Sequence, residues 1–304
     1  MAVANGSLRS AELLWSWGAN AEKPDRDGNL PIHLATEKEN VEMLQFLVIR
    51  AKVNIEAIRK DLKTSLQMAC FDNLEQSCEA LIKLGADKNV QSGDGEARSP
   101  LHIATLKNHA NIVKMLILNG AKVNLRNLNR ETPMMLAVRH GTFETARMLA
   151  KQGNADVELY CNKGKRVIHH AIEGQSVPCL KLVAEDCNAS LDFADDNKEL
   201  PFHLAARLGN VDIGRILMAK QKDLVDQVNT EGETALHIAA KHGNFEFVKM
   251  LIEMGSSLST IDRKGYTPLQ TAEAELAKDS SYNALVALMK KQVDRAKTPN
   301  EADL

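Results

Sequence analysis

The chain is poor in aromatic residues and shows almost no imbalance of charge. Only 4% of its 304 residues are aromatic, and 38 Lys and Arg nearly cancel 40 Asp and Glu. Nucleic-acid-binding proteins usually carry a basic excess, so we expect no nucleic acid among the partners. Because 44% of the residues are hydrophobic, global disorder is excluded as well.

Long apolar runs and cysteine motifs are also missing. No stretch approaches the roughly 18 apolar residues of a membrane span, so we expect no direct membrane insertion. Residues 1–10 lack the apolar core of a secretory signal. The five cysteines form an odd, scattered set without a Cys-x-x-Cys motif. This set favours reduced, mostly buried thiols and a cytoplasmic protein, with the nucleus left open.

A repeated hexapeptide is the dominant feature of the sequence. Two of its eight copies are Ser99-Pro-Leu-His-Ile-Ala104 and Thr234-Ala-Leu-His-Ile-Ala239. The copies begin at positions 30, 64, 99, 132, 166, 200, 234 and 267, which are 33 to 35 residues apart. Such a period indicates a solenoid, in which each unit buries its apolar face against its neighbours.

The hexapeptide resembles the T-P-L-H-x-A signature of ankyrin repeats. An amphipathic run downstream, such as 243–252, and a Gly-Ala step, such as Gly85-Ala86, extend this resemblance over roughly residues 6–290. The resemblance implies an all-α solenoid of stacked helix-turn-helix units with β-hairpin fingers. We predict a single monomeric domain over 1–290 and a disordered tail over 291–304.

Individual residues explain the pattern. Proline at the second signature position suits the first turn of a helix, where its missing N–H costs nothing. A glycine after the second helix supplies a stop with positive φ, and we assign this role to Gly18, Gly85, Gly120, Gly153 and Gly255. The fifth repeat lacks both Thr-Pro and this glycine, and the sixth lacks the glycine. We therefore expect a looser helix geometry around repeats 5 and 6.

The first residues align with only half a repeat. The segment 13–20 matches the end of a second helix and its turn, which places Trp15 and Trp17 where other repeats carry more polar residues. Two explanations stay open: the tryptophans cap an exposed end, or the chain comes from a longer array. We favour the longer array.

Histidine is the residue type that most suggests chemistry. Five histidines share the fourth signature position: His33, His102, His169, His203 and His237. The resemblance implies that they hydrogen-bond to backbone groups between adjacent repeats. Stacked helices stand ~8–10 Å apart, whereas a zinc ligand lies ~2 Å from the metal, so successive histidines cannot share one ion.

No other constellation indicates catalysis. The acidic cluster at Asp192, Asp195 and Asp196 lacks the spacing of a calcium loop, and there is no P-loop or kinase signature. The cysteines lie beside no recognisable base. We therefore predict no enzyme, no cofactor, no metal and no catalytic residue.

The resemblance implies instead that a concave face and the fingers bind another protein. The informative residues follow the signature alanine, where the fold does not dictate identity. Our candidate partner-binding residues are Phe71, Leu106, Lys107, Arg139, His140, Arg207, Leu208, Lys241 and His242, together with the finger residues Arg126 and Arg130. Their apolar and basic character favours an acidic, partly apolar segment as the partner.

Two functions follow. The first is a non-enzymatic scaffold or adaptor for protein–protein interaction. The alternative is an ankyrin segment of a larger channel, kinase or bacterial effector whose activity lies outside these residues.

Overall fold

The computed structural model describes residues 2–297, which fall into two compact units. The first ends at Asn162 and the second begins at Lys163. The helices of the first unit are α1 (Leu8–Ser16), α2 (Pro31–Glu37), α3 (Val41–Gln45), α4 (Ser65–Asp72), α5 (Glu75–Lys83), α6 (Pro100–Leu106), α7 (Ala110–Leu118), α8 (Pro133–Arg139) and α9 (Phe143–Lys151). Those of the second unit are α10 (Val167–Glu173), α11 (Val177–Lys181), α12 (Pro201–Leu208), α13 (Val211–Lys220), α14 (Ala235–Lys241), α15 (Phe245–Glu253), α16 (Pro268–Leu276) and α17 (Asn283–Lys297).

Each signature hexapeptide begins the first helix of a repeat. Thr64, Ser99 and Thr234 are N-caps whose hydroxyls accept the backbone N–H three residues on. Within each unit, first helices pack against first helices (α4 on α6, α12 on α14) and second helices against second helices. All eight signature alanines are 0% exposed, because the close contact of first helices leaves room for a methyl group only. The predicted all-α ankyrin architecture is confirmed.

The predicted fingers are present as tight turns. In the finger before α8, Asn127 N–H donates to the Glu131 carbonyl at 2.9 Å, and Asn127 Oδ1 accepts the Glu131 N–H at 2.8 Å. Neighbouring fingers are joined through their backbones, as where Leu128 N–H donates to the Glu96 carbonyl at 3.0 Å. Within residues 2–297, β structure is limited to two isolated bridges, so the fingers are turns rather than extended β-hairpins.

The ends of the second helices differ among repeats. A π-helical turn follows α11 at Leu182–Asp186 and a 3₁₀ turn follows α13 at Lys222–Leu224, in the two repeats expected to be looser. A second π-helical turn, Phe46–Arg50, ends the helix of the first repeat, which we did not predict. In that repeat too the usual glycine is absent, and Lys52 takes the positive φ instead.

The predicted glycine stops are confirmed for four of the five positions, and the prediction for Gly153 is wrong. Gly153 is not among the residues with positive φ; Asn154, at φ 51°, takes that conformation. Gly153 is required for a different reason. A Cβ there would lie 2.8 Å from the Leu149 carbonyl oxygen and 2.9 Å from Val123 Cγ2.

The predicted boundary at residue 290 falls inside a helix. Because α17 continues to Lys297, residues 291–297 are helical and not part of a disordered tail. The signal was a run from Ala284 to Lys297 that is rich in helix formers and contains no glycine or proline. Residues 298–304 of the predicted tail lie outside the described residues.

Candidate partner-binding surface

A recurring pair of positions shapes the surface formed by the fingers and the ends of the first helices, which we call the finger face of each unit. One member closes the finger, and the other lies eight residues later, after the signature alanine. In repeat 4 these are Glu131 and Arg139, which form an ion pair. The Glu131 side chain is only 10% exposed, and Asn127 Nδ2 donates to its other carboxylate oxygen at 3.1 Å.

Repeats 6 and 7 use the same arrangement. Arg207 Nη2 lies 3.2 Å from Glu199 Oε2, and Lys241 Nζ lies 3.4 Å from Glu233 Oε1. Three of the predicted partner-binding cations are therefore already neutralised by finger carboxylates of their own repeats. Sequence reasoning missed these carboxylates, although an acid eight residues before each cation was a visible signal.

Repeat 5 carries the same pair with its charges exchanged. Lys165 in the finger forms an ion pair with Glu173 on α10, and His170 Nδ1 lies 3.5 Å from the other carboxylate oxygen. Hydrogen bonds from His170 and Lys165 lower the pKa of Glu173 to about 2. The exchange shows that the pair of positions, rather than one orientation of charge, is the recurring feature.

Repeats 2 and 3 have no carboxylate at these positions. Repeat 2 places Lys63 in the finger and Phe71 on α4, with the Lys63 Nζ atom 4.9 Å from the centre of the Phe71 ring. Lys107, from repeat 3, brings its Nζ atom to 3.9 Å from the same centre. Phe71 nevertheless stays 39% exposed. The structure thus brings together two predicted residues, Phe71 and Lys107, and adds Lys63, which the sequence analysis did not select.

The remaining candidates are more dispersed. Leu106 and Leu208 are half-buried, whereas His140, His242 and Arg126 are exposed. Arg130 lies over the ring of Tyr160, with its Cζ atom 4.7 Å from the ring centre. Outside repeats 2 and 3, the predicted residues therefore form no compact cluster of apolar and basic side chains within either unit.

The signature histidines are buried structural residues. His102 Nδ1 accepts the Ser99 N–H at 3.2 Å, and its Nε2 lies 3.0 Å from the Glu131 carbonyl, to which it donates. The equivalent bond to the next repeat joins His33 to Ala57, His203 to Gln227 and His237 to Tyr266. The bonding implied by the resemblance is confirmed for four of the five histidines. Burial lowers the pKa of all five, to about 4 for His102 and His169.

Glutamine replaces this histidine in repeats 2 and 8. Gln67 Oε1 accepts the Thr64 N–H at 3.0 Å, and Gln67 Nε2 donates to the carbonyls of Val90 and Arg98 at 3.1 and 3.0 Å. Glutamine reproduces both hydrogen bonds without a group that titrates near neutral pH. The position is therefore defined by hydrogen bonding rather than by imidazole chemistry.

The cysteine side chains are mostly buried, and no cluster of metal-binding side chains is present among the described residues. Cys70, Cys78, Cys161 and Cys179 are buried and Cys187 is half-buried. Burial raises the pKa of the Cys70 thiol well above its ordinary value. Over the part of the chain that the structure describes, no group of three or more His, Cys, Asp or Glu side chains could hold a metal ion. Likewise, none of the described helices has the length and apolarity needed to span a membrane.

Two relatives are similar to this chain over 67% and 64% of its length. Rabankyrin-5 of Mus musculus is 27% identical over 219 residues, which cover 67% of this chain and 18% of that protein. A probable E3 ubiquitin-protein ligase, XBOS33 of Oryza sativa subsp. japonica, is 31% identical over 217 residues, covering 64% of this chain and 39% of that protein. The chain therefore corresponds to less than half the length of either relative.

A solved structure and a family model agree with this similarity. The crystal structure of the ankyrin repeat domain of Bcl-3 matches with a TM-score of 0.63 and 22% identity, over 70% of this chain and 95% of that domain. The model of the family described as "Ankyrin repeats (3 copies)" matches residues 1–92, 66–161, 101–195, 153–227 and 202–297. The chain belongs to the ankyrin repeat family, whose repeats are protein–protein interaction modules.

Proposed function

We propose that the chain is a non-enzymatic scaffold or adaptor that holds a partner protein on its finger face. The observation that carries this proposal is the exposure of Phe71. The signature alanine Ala69, two residues earlier, is 0% exposed, whereas Phe71 keeps 39% of its surface exposed beside two lysine ammonium groups. Aromatic side chains on a surface are candidates for binding hot spots.

The candidate residues contribute unequally in this proposal. Arg139, Arg207 and Lys241 are held by finger carboxylates, so a partner would gain little from their charge. The stronger contributions are assigned to Phe71 and Lys107, whose exposed groups have no such carboxylate. The remaining candidates, Leu106, His140, Leu208, His242, Arg126 and Arg130, are proposed as surrounding contacts.

Cross-linking tests the assignment of the face. The full chain is used as bait, a captured protein is purified, and the reconstituted complex is cross-linked and analysed by mass spectrometry. We expect cross-links from finger-face lysines such as Lys60, Lys63 and Lys107. Cross-links confined to lysines of the second helices, such as Lys114 and Lys249, would contradict the proposal.

We further propose that the chain is a cytoplasmic monomer. Its mostly buried cysteines suit a reducing compartment. Light scattering after size exclusion should then give a mass near 33.5 kDa. A dimeric mass, or a disulfide found in the protein taken from its native source, would contradict this part of the proposal.

A second candidate rests on the curated relatives. In both, the similar segment is part of a much longer protein. The chain would then be the partner-recognising segment of a larger protein whose activity lies elsewhere. A native mass well above 33.5 kDa, measured by immunoprecipitation and mass spectrometry, supports this candidate, whereas a native mass near 33.5 kDa rejects it.

A further inference from the structure

We infer that repeats 2 and 3 anchor the partner, through a cluster formed by Lys63, Phe71, Leu106 and Lys107, and that the partner segment presents a carboxylate next to a large apolar side chain. This inference rests on the proposed function and specifies the chemistry of the partner. We call these four residues the Phe71 cluster.

The two ammonium groups of the cluster share one aromatic ring. Lys107 Nζ lies 3.9 Å and Lys63 Nζ lies 4.9 Å from the centre of the Phe71 ring. A cation over an aromatic ring is attracted electrostatically by the electron-rich face of the ring. This contact orients the ammonium groups while leaving their N–H donors able to bond an incoming oxygen.

Lys107 has no carboxylate partner among the ion pairs of the described residues, and its side chain is exposed. This distinguishes it from the cations of repeats 4, 6 and 7. To use Arg139, for example, a partner would have to compete with Glu131, whose side chain is only 10% exposed. Breaking such a pair costs more than a new surface pair returns.

One carboxylate beside the cluster is shared between two cations. Asp61 accepts two hydrogen bonds from Arg59, at 2.7 and 2.8 Å, and one from Lys63 at 3.0 Å. One carboxylate thus serves two cations, and these contacts hold the pKa of Asp61 far below its ordinary value. Glu37 and Asp72 add to the negative potential, but at Arg59, whose pKa they raise. Lys63 therefore shares its carboxylate with Arg59, and Lys107 is the cation beside the ring that has no ion-pair partner among the described residues.

Charge and shape together define the occupant. A carboxylate placed over the cluster would accept a charge-assisted hydrogen bond from the ammonium group of Lys107. The apolar neighbour of that carboxylate would cover Phe71, which is 39% exposed, and Leu106, which holds the equivalent position in the next repeat. An acidic residue flanked by Leu, Ile, Phe or Trp satisfies both requirements.

A peptide selection tests the inference. Random twelve-residue peptides displayed on phage are selected on the full chain, and the enriched peptides are synthesised with a fluorescent label for anisotropy titration. We expect enrichment of Asp or Glu next to a large apolar residue. Phe71→Ala and Lys107→Glu should each weaken binding at least about tenfold, which corresponds to 1.4 kcal/mol. The Lys107→Glu effect should shrink as salt is raised.

Matched controls come from the second helix of repeat 3. Leu118 is 70% exposed and Lys114 is exposed on α7, away from the fingers. Leu118→Ala and Lys114→Glu should therefore change binding by less than about twofold, while circular dichroism confirms that all four variants melt like the original chain.

Other outcomes overturn the inference. Enriched peptides that bind Lys107→Glu as tightly as the original chain would reject the cluster while leaving the proposed binding function intact. Basic peptides, or peptides that bind only when the carboxylate is replaced by phosphoserine, would reject the stated chemistry. A selection that enriches no peptide rejects the anchor, and the proposed function is then decided separately by the cross-linked complex.

Discussion

Replacing His102 should separate hydrogen bonding from imidazole chemistry at the signature position. His102 is 0% exposed and holds two backbone groups, the Ser99 N–H at 3.2 Å and the Glu131 carbonyl at 3.0 Å. His102→Ala strands both in a buried site, and each stranded group costs about 1–3 kcal/mol. We expect a loss of about 4 kcal/mol in the free energy of unfolding. His102→Gln should cost about 1 kcal/mol or less, because Gln67 makes both bonds in repeat 2.

The same residue should make stability depend on pH. Burial lowers the pKa of His102 from 6.5 to about 4, so the unfolded chain binds a proton between these values that the folded chain does not. The contribution of His102 to the free energy of unfolding is fully present above about pH 7. It is lost as the pH falls toward 4, and the total loss is about 3 kcal/mol. His102→Gln should flatten this dependence, although His169, with a similarly lowered pKa, retains part of it.

Urea denaturation followed by circular dichroism measures both effects, at about pH 7.5 and at steps down to about pH 5. His140, which is exposed in the same unit, supplies the control: His140→Ala should change the free energy of unfolding by less than about 0.5 kcal/mol. Equal stabilities of the Ala and Gln variants of His102 would refute the hydrogen-bonding argument. An unchanged pH dependence in His102→Gln would refute the burial argument.

Three further predictions concern charge, packing and thiols. Arg139→Glu should lower the free energy of unfolding of the first unit by about 1–2 kcal/mol, as measured by urea denaturation. Adding Glu131→Lys should recover at least half of that loss, because repeat 5 already carries the exchanged pair. A double variant no more stable than Arg139→Glu would contradict this. Gly153→Ala should cost about 1–3 kcal/mol in the same assay, since its Cβ would meet Leu149 and Val123, and a neutral change would contradict the close contact. In native protein a thiol reagent should label Cys187 before the buried Cys70, as mass spectrometry would show; the reverse order would contradict the burial.

Much of the fold could be predicted because its requirements are local and because the hexapeptide that carries them recurs eight times, with substitutions. A hydroxyl N-cap, a proline at the first helical position and a buried alanine each act within a few residues, so the hexapeptide alone reports them. Gly153 shows where this reasoning stops. Its sequence context matches that of the other stop glycines, yet a Cβ there would meet Val123 of the preceding repeat as well as the Leu149 carbonyl of its own.

For the candidate partner-binding surface, too, the sequence indicates one part and the tertiary structure decides another. Sequence alone indicated the helical period, the repeat number and the row of positions after the signature alanine, and the resemblance to ankyrin repeats implied the role of the histidines. Only the tertiary structure decided which of those positions carry available charge. Arg139 and Lys107 are both basic residues that follow a signature alanine. In the structure, Arg139 lies against Glu131, whereas Lys107 lies over the ring of Phe71. The reason is physical: an ion pair or a ring contact depends on side-chain direction and on the neighbouring repeat, which a repeat signature does not encode.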